Sequence, residues 1–469
     1  MITKLKANSM AAAIALIVSS GAYAADNAAN VTQNNLGGDG ERAVIVQVGS
    51  QGEITITQTG TGGVGNDANV YQSGSRNKVV DSFQIGSGNR ATVDQIGGAR
   101  NNAKFQQDGA QNTANIFQGM RPGDSPAVPT GDENTARVFQ TGNSNVGTVN
   151  QYGPGVSGNY AKIRQYGDGN TGAINQNEAP NTVGANDSDA RMLQRGNANQ
   201  ATIWQRGGPD NIARTEQRGD ENLARTFQKG ANNNMAVTQI GSFNTVDAPS
   251  GNGGQRGDDN VATVEQTGDN NQVLNVGQIG DGNTGEIYQT GNTNYINTPG
   301  QVGDGNFATL RQDGDNNSIT GNGQFGNGNS LTADQSGNWN SAMLSQTGEA
   351  NTADVGQTGD RNSSHLSQDG VEHYATINIV GNDNTTNSMQ GGGEGNLLTI
   401  TISGNANAAF TNQMGNANNI DLSQGGNGNF ANMQQNGNGN FAGVSQQNGG
   451  NYANTWQAGN ANTITIDQQ

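Results

Sequence analysis

The sequence predicts an all-β fold, a β-solenoid with two strands in each 22–23-residue coil and roughly eighteen coils in all. Three observations carry that expectation. A unit Gln-x-Gly-x-x-Asn-x-Ala-x-x-x-Gln recurs from residue 33 to 468, usually with eleven residues from one Gln to the next. The marked residues of each unit stand at alternate positions. The pair Gly-Gln recurs at 254–255, 277–278, 300–301 and 323–324, twice the unit length, so two kinds of unit alternate there.

Each element follows from these patterns. In Asn199-Ala201-Ile203-Gln205 the members are i, i+2, i+4 and i+6, which places all four on one face of a strand; a helix would scatter them. The same quartet reads Asn222-Ala224-Thr226-Gln228, Asn306-Ala308-Leu310-Gln312 and Asn429-Ala431-Met433-Gln435. The inward ladder residues are therefore Asn199, Ala201, Gln205, Asn222, Ala224, Gln228, Asn306, Ala308, Gln312, Asn429, Ala431 and Gln435. Between strands, Gly196, Gly219, Gly303 and Gly426 supply the positive φ of a tight turn. Asn and Gln are expected to stack on their counterparts one coil away, satisfying amides whose isolated burial costs about 1–3 kcal/mol. At about 4.8 Å per coil the expected rod is on the order of 85 Å long.

Longer spacings mark insertions near 119–133, 177–190 and 245–254, read as turn insertions, with a shorter one at 152–158. From Gln72 to Gln228 they fall on alternate turns, hence on one edge; after Gln239 the phase changes. Seven of the eight prolines lie in turns or insertions, and Pro299 is the exception.

Composition bounds the function. The 469 residues are 31% hydrophobic, with 73 glycines, no cysteine and two histidines, so stability must come from stacking and not from disulfides. The net charge of −17 argues against nucleic acid as a partner. Arg191, Arg195, Arg206, Arg214, Arg218, Arg225 and Lys229 nevertheless make the middle mildly basic, and after Arg361 there is no Lys or Arg. That last region is expected to assemble faster than residues 25–230 as a separate fragment. Residues 1–24 read as a signal peptide: Lys4 and Lys6, an apolar stretch Met10 to Val18, and the cleavage site Ala22-Tyr23-Ala24. The repeat region is then 25–469, with no segment apolar enough to span a membrane.

Catalytic, metal and cofactor chemistry is not expected. No nucleophile, base and orienting group stand together, and His365 and His373 lack ligand company. The acidic turns Asp168, Asp258-Asp259, Asp281, Asp304 and Asp315 read as solvated charge that slows premature association. Aromatics before the terminal Gln (Tyr71, Phe83, Phe117, Phe139, Trp204, Phe227, Tyr288, Trp456) are expected to face outward.

The repeated unit resembles the curlin repeat of curli amyloid fibres on Gram-negative bacteria, over about nine tenths of the chain. The resemblance implies a secreted subunit that polymerises with itself or with related curlin subunits into an extracellular, cell-surface fibre of the biofilm matrix. It also implies an outer-membrane secretion pore and a nucleator as partners. The chain departs from the familiar subunit in carrying several times as many repeats. Its first quartet, Asn27-Ala29-Val31-Gln33, begins where that subunit has a nonrepetitive addressing stretch. Two other readings stay open: a monomeric β-solenoid adhesin whose insertions grip a surface, and an accessory or nucleator subunit for a shorter curlin. No capping element follows Gln468, so the coil end is expected to template further strands.

Overall fold

The computed structural model describes residues 26–35, 40–119, 131–153, 156–176, 186–248, 254–298 and 300–469, together with the backbone of 4–8 and 13–18. Every regular element is a β-strand, and the coils, about 23 residues each, form a parallel β-solenoid of about 18 turns. The chain divides into two compact units, residues 1–242 and 243–469.

In the first unit successive strands alternate between two parallel sheets. The first sheet runs through Asn102–Ala110, Thr135–Thr141, Tyr160–Tyr166, Asp189–Arg195, Ile212–Arg218 and Asn234–Ile240. The second runs through Arg90–Ile96, Thr113–Gly119, Val146–Tyr152, Thr171–Gln176, Gln200–Arg206 and Leu223–Lys229. Register is in phase with the repeat: Gln194 pairs with Gln217, and Gln205 with Gln228. A one-residue slip would turn every buried amide out to solvent, so the alternation pins the register. The expected insertions at 119–133, 152–158 and 177–190 each join the end of a second-sheet strand to the start of a first-sheet strand. Residues 120–130, 154–155 and 177–185 of them lie outside the described residues. Two strands within residues 1–24, Lys4–Asn8 and Ala13–Val18, pair with Ala28–Asn35 and Arg42–Ser50; the other residues of the expected leader lie outside the described ones.

The second unit is likewise built of two parallel sheets, with one difference. Its second sheet opens on broken strands: Thr245–Asp247 with Gly254–Arg256, Gln272–Leu274 with Gly277–Ile279, and Tyr295–Asn297 with Gln301–Val302. The pieces merge in Ser318–Phe325, where the register still shifts between Thr320 and Gly323. Near 245–254, where the sequence reading places a turn insertion, the described residues are the short strands Thr245–Asp247 and Gly254–Arg256. In the next coil the extra residues, Asn275 and Val276, sit between two pieces of one second-sheet strand, which fits the phase change after Gln239. Gly254, Gly300 and Gly323, though not Gly277, take φ of 85°, 92° and 73° where the chain re-enters the sheet, a conformation that favours glycine before Gln in those three units. Residues 249–253 and Pro299 lie outside the described residues.

The core is one residue layer thick from each sheet, and it alternates small and large. Ala103, Ala136, Ala161, Ala190 and Ala213 are fully buried, as are Phe105, Val138 and Ile163. Where Gly147 replaces alanine, a Cβ would lie 2.7 Å from Val138 Cγ1 on the other sheet. The small position of one sheet thus faces the large position of the other, which is how so thin a core packs closely here.

Candidate functional site: the amide ladders and coil faces

The residues that distinguish this chain are the buried amides. Gln Nε2 of one coil donates to Gln Oε1 of the next: Gln176 to Gln205 at 2.8 Å, Gln194 to Gln217 at 2.9 Å, and Gln205 to Gln228 at 2.9 Å. The second unit repeats this with Gln289 to Gln312 at 2.8 Å, Gln312 to Gln335 at 2.9 Å, and Gln413 to Gln435 at 3.1 Å. The remaining Nε2 proton reaches a backbone carbonyl, as from Gln205 to Asn211 at 2.9 Å. Burial of these glutamines therefore leaves no proton unsatisfied.

Asparagines run a second ladder in the opposite sense. Asn222 Nδ2 donates back to Asn199 Oδ1 at 2.9 Å, and its backbone N–H donates to the same oxygen at 3.1 Å. Asn306 does likewise toward Asn283, and Asn429 N–H toward Asn407 Oδ1. The forward bond goes from Asn Nδ2 to a turn carbonyl: Asn199 to Gly219 at 2.7 Å, Asn306 to Gly326 at 2.7 Å. Asn199, Gln205, Asn222, Ala224, Gln228, Asn306, Gln312, Asn429, Ala431 and Gln435 are at most 1% exposed and Ala201 is 3%, while Ala308 is half-buried.

Turn geometry is equally regular. Gly196, Gly219, Gly303 and Gly426 have φ of 111°, 114°, 116° and 88°, and a Cβ at Gly196 would collide with the Gly219 carbonyl oxygen of the next coil. The acidic turns form a third ladder that the sequence reading missed. Asp281 Oδ1 accepts the Asp258 N–H at 2.8 Å, Asp304 Oδ1 the Asp281 N–H at 2.9 Å, and Asp315 Oδ1 the Asn292 N–H at 2.7 Å. The available signal was that Asp and Asn interchange at one offset after the turn glycine.

The ladders tolerate replacements. Ser188, Glu41 and His373 occupy Asn positions: Ser188 Oγ accepts the Asn211 N–H, and Glu41 Oε2 the Asn66 N–H at 2.9 Å. Burial pushes the Glu41 carboxyl above its ordinary range, opposed by its bonds from Asn66. Ile379 and Ile402 interrupt the Gln column of their sheet in register between Gln357 and Gln424. Downstream of them Gln424 Oε1 is buried with no donor, and so is Gln33 Oε1, opposite which the strand Lys4–Asn8 places Ala7. Both orphans show the same polarity: each Gln oxygen depends on the preceding rung. At the other end, Gln468 Nε2 donates only to the Tyr452 carbonyl.

Of the aromatics, Tyr71 and Trp456 are exposed, whereas Phe227 is only 4% exposed beneath Arg206. Among the described residues no three His, Cys, Asp or Glu side chains gather as metal ligands, and no helix is long and apolar enough to cross a membrane. The described residues offer repeated hydrogen-bonding edges.

Comparison with known families finds four segments, residues 63–97, 131–155, 208–241 and 326–359, that match the curlin associated repeat. No curated protein matches.

Proposed function

Because the chain carries the curlin associated repeat, in both of its compact units, we propose that it is a structural subunit of an extracellular, curli-like amyloid fibre that serves surface adhesion in a biofilm matrix. The observation that carries this reading is the polarity of the ladders. One face of every coil presents Gln Oε1 and Asn N–H, and the other presents Gln Nε2 and Asn Oδ1. Two such faces are complementary but not alike, so copies add head to tail and the contact propagates without closing. In the last coil Ile464, Ile466 and Gln468 are half-buried, whereas Ala442, Val444 and Gln446 one coil earlier are at most 3% exposed.

On this reading residues 1–24 are the export signal, cleaved after Ala24, and 25–469 form the fibre subunit. Its partners are further copies or related curlin subunits, with a nucleator and an outer-membrane pore as the resemblance implies. The test is assembly of purified residues 25–469. Fibres with cross-β spacings of about 4.8 and 10 Å are expected. A protein that stays monomeric for days, without dye binding or such diffraction, overturns the reading.

The insertions favour a second reading, a monomeric solenoid adhesin, because those at 119–133 and 177–190 leave the same kind of turn. Deleting both separates the two: an adhesin loses surface binding, while a fibre subunit still polymerises.

A further inference from the structure

The first sheet of the first unit carries an outward row that folding does not account for. Lys104, Arg137, Lys162, Arg191 and Arg214 are register partners in five successive coils. Cations thus repeat in a straight line at the strand spacing of about 4.8 Å. Arg164 flanks the row on one side, with Arg195 and Arg218 at its border. Like charges directly opposite in a sheet are destabilising. The second sheet shows that the fold does not need them, since its equivalent row reads Thr92, Asn115, Thr148, Ala173 and Thr202.

The row is only partly neutralised from within. Asp81 lies 3.6 Å from Lys104, and Asp189 lies 2.7 Å from Arg191. Glu216 is engaged by Arg218 at the border. Asp108 lies at the margin of the same face, in register with Thr141. Arg137, Lys162, Arg164 and Arg214 have no carboxylate within ion-pair distance among the described residues. Rings instead separate the cations: Arg137 and Arg191 lie over Tyr160 at 5.7 and 5.3 Å, and Lys162 and Arg164 lie over Phe139 at 5.6 and 5.9 Å. Burial, and then Arg164, Arg137 and Arg191, push the Lys162 ammonium below its ordinary value. A shallow groove of about 320 Å³ adjoins the second half of the row, lined by Lys162, Arg164, Arg191 and Arg214 together with Glu216.

We propose that this row docks an extended acidic polysaccharide, a polymer with one carboxylate per sugar. Such a chain is a ribbon, repeats its charge at an interval close to the coil spacing, and can follow the row from coil to coil. Tyr166, 40% exposed beside Arg195, adds a ring face on which a pyranose can pack. Duplex DNA fits less well, because its charges fall about every 1.7 Å along a cylinder that touches a flat face only briefly. The inference concerns the surface of one subunit and holds whether or not subunits polymerise.

The test uses residues 25–469, as monomer or fibre, with polygalacturonate as probe and with neutral dextran and a 30-base-pair duplex as comparisons. The variant Arg137→Gln/Lys162→Gln/Arg191→Gln/Arg214→Gln is set against Arg90→Gln/Arg206→Gln/Arg225→Gln/Lys229→Gln. The latter makes the same change of net charge on the second-sheet strands and their ends. A tenfold or greater rise in Kd for the first and less than twofold for the second is expected, in about 0.1 M salt. Equal losses in the two variants, absence of polygalacturonate binding, or tighter binding of the duplex overturns the proposal. If the first variant does not fold, carbodiimide coupling of bound polygalacturonate to unmodified protein decides instead. Conjugates at Lys104 and Lys162 support the row; conjugates confined to Lys78 and Lys229 overturn it.

Discussion

His373 Nδ1 accepts the backbone N–H of Asn396 at 3.3 Å, doing for that rung what an asparagine Oδ1 does in neighbouring coils. This bond requires the neutral tautomer with its proton on Nε2, which lies 3.3 Å from the Asp369 carbonyl. His373 is fully buried, and desolvation holds its imidazole below the ordinary histidine value despite Asp369. The native state therefore prefers the unprotonated ring. Its contribution is complete above the unfolded value of about 6.5 and is lost as pH falls from there through the lower folded value. His373→Asn is expected to match the parent at pH 8 and to be the more stable protein at pH 5. Denaturant midpoints of the unassembled protein at the two pH values check this; parallel pH dependence in parent and variant refutes it.

Removing a glutamine costs according to what its neighbours lose. In Gln205→Ala, Gln176 Nε2, Gln228 Oε1 and the Asn211 carbonyl all lose a partner. A loss of about 2–4 kcal/mol is expected, as for unsatisfied buried polar groups. Gln424→Ala removes an oxygen that already lacks a donor, and it strands chiefly Gln446 Oε1 and the Ala408 carbonyl. Its cost is expected to be smaller by about 1 kcal/mol, measurable by urea denaturation of the two variants side by side.

These effects also show what the sequence could convey. The quartet around Asn199 and Gln205 was legible because a strand alternates with period 2 and the unit repeats, so face and register follow from spacing alone. His373, Ser188 and Glu41 were not, since nothing in their identity marks an asparagine position until the coil is closed. The break between Gln272–Leu274 and Gly277–Ile279 was hidden for a related reason: a count from Gln to Gln cannot distinguish a residue added in a turn from one added mid-strand. The row from Lys104 to Arg214 was hidden by unequal insertions, which separate its members by 33, 25, 29 and 23 positions. Only the paired strands bring them into line.

Two glycines of one turn are expected to behave differently. Gly303 has φ of 116°, and a Cβ there would collide with the Gly326 carbonyl oxygen; Gly305 has φ of 64° and open space around it. Gly305→Ala pays only for the left-handed backbone, about 1–2 kcal/mol. Gly303→Ala adds overpacking between coils, about 1–3 kcal/mol more. Thermal unfolding of both variants checks the order, and equal destabilisation would contradict the coil-to-coil contact.

One glycine marks room to spare. Gly285 stands where alanine is usual, beside an apolar cavity of about 40 Å³ lined by Ile287, Ala308 and Leu310. Its nearest atom to an added Cβ is Gln278 Nε2 at 3.3 Å, and its φ is not positive. Gly285→Ala is expected to stabilise by about 0.5–1 kcal/mol through the strand backbone and the filled space. Gly147→Ala, facing Val138 Cγ1 at 2.7 Å, is expected to destabilise. A stabilising Gly147→Ala would show that the core gives way more readily than this geometry allows.

The last rung offers the most direct control over growth. Ile464 and Ile466 pair with Ala442 and Val444 on one side and are half-buried on the other. A charge pointing inward at an uncovered edge is the device by which sheet proteins prevent further pairing. Ile464→Lys/Ile466→Lys should leave the preceding coils folded, because its lysines can reach solvent past the open edge. It should nevertheless slow elongation about tenfold or more, since each added rung would bury two unpaired ammonium groups. Mixed with parent protein, the variant should poison growth at one fibre end only, as the opposed Gln and Asn ladders require. Seeded elongation followed by microscopy reads this directly, and symmetric inhibition, or none, would exclude polar head-to-tail addition.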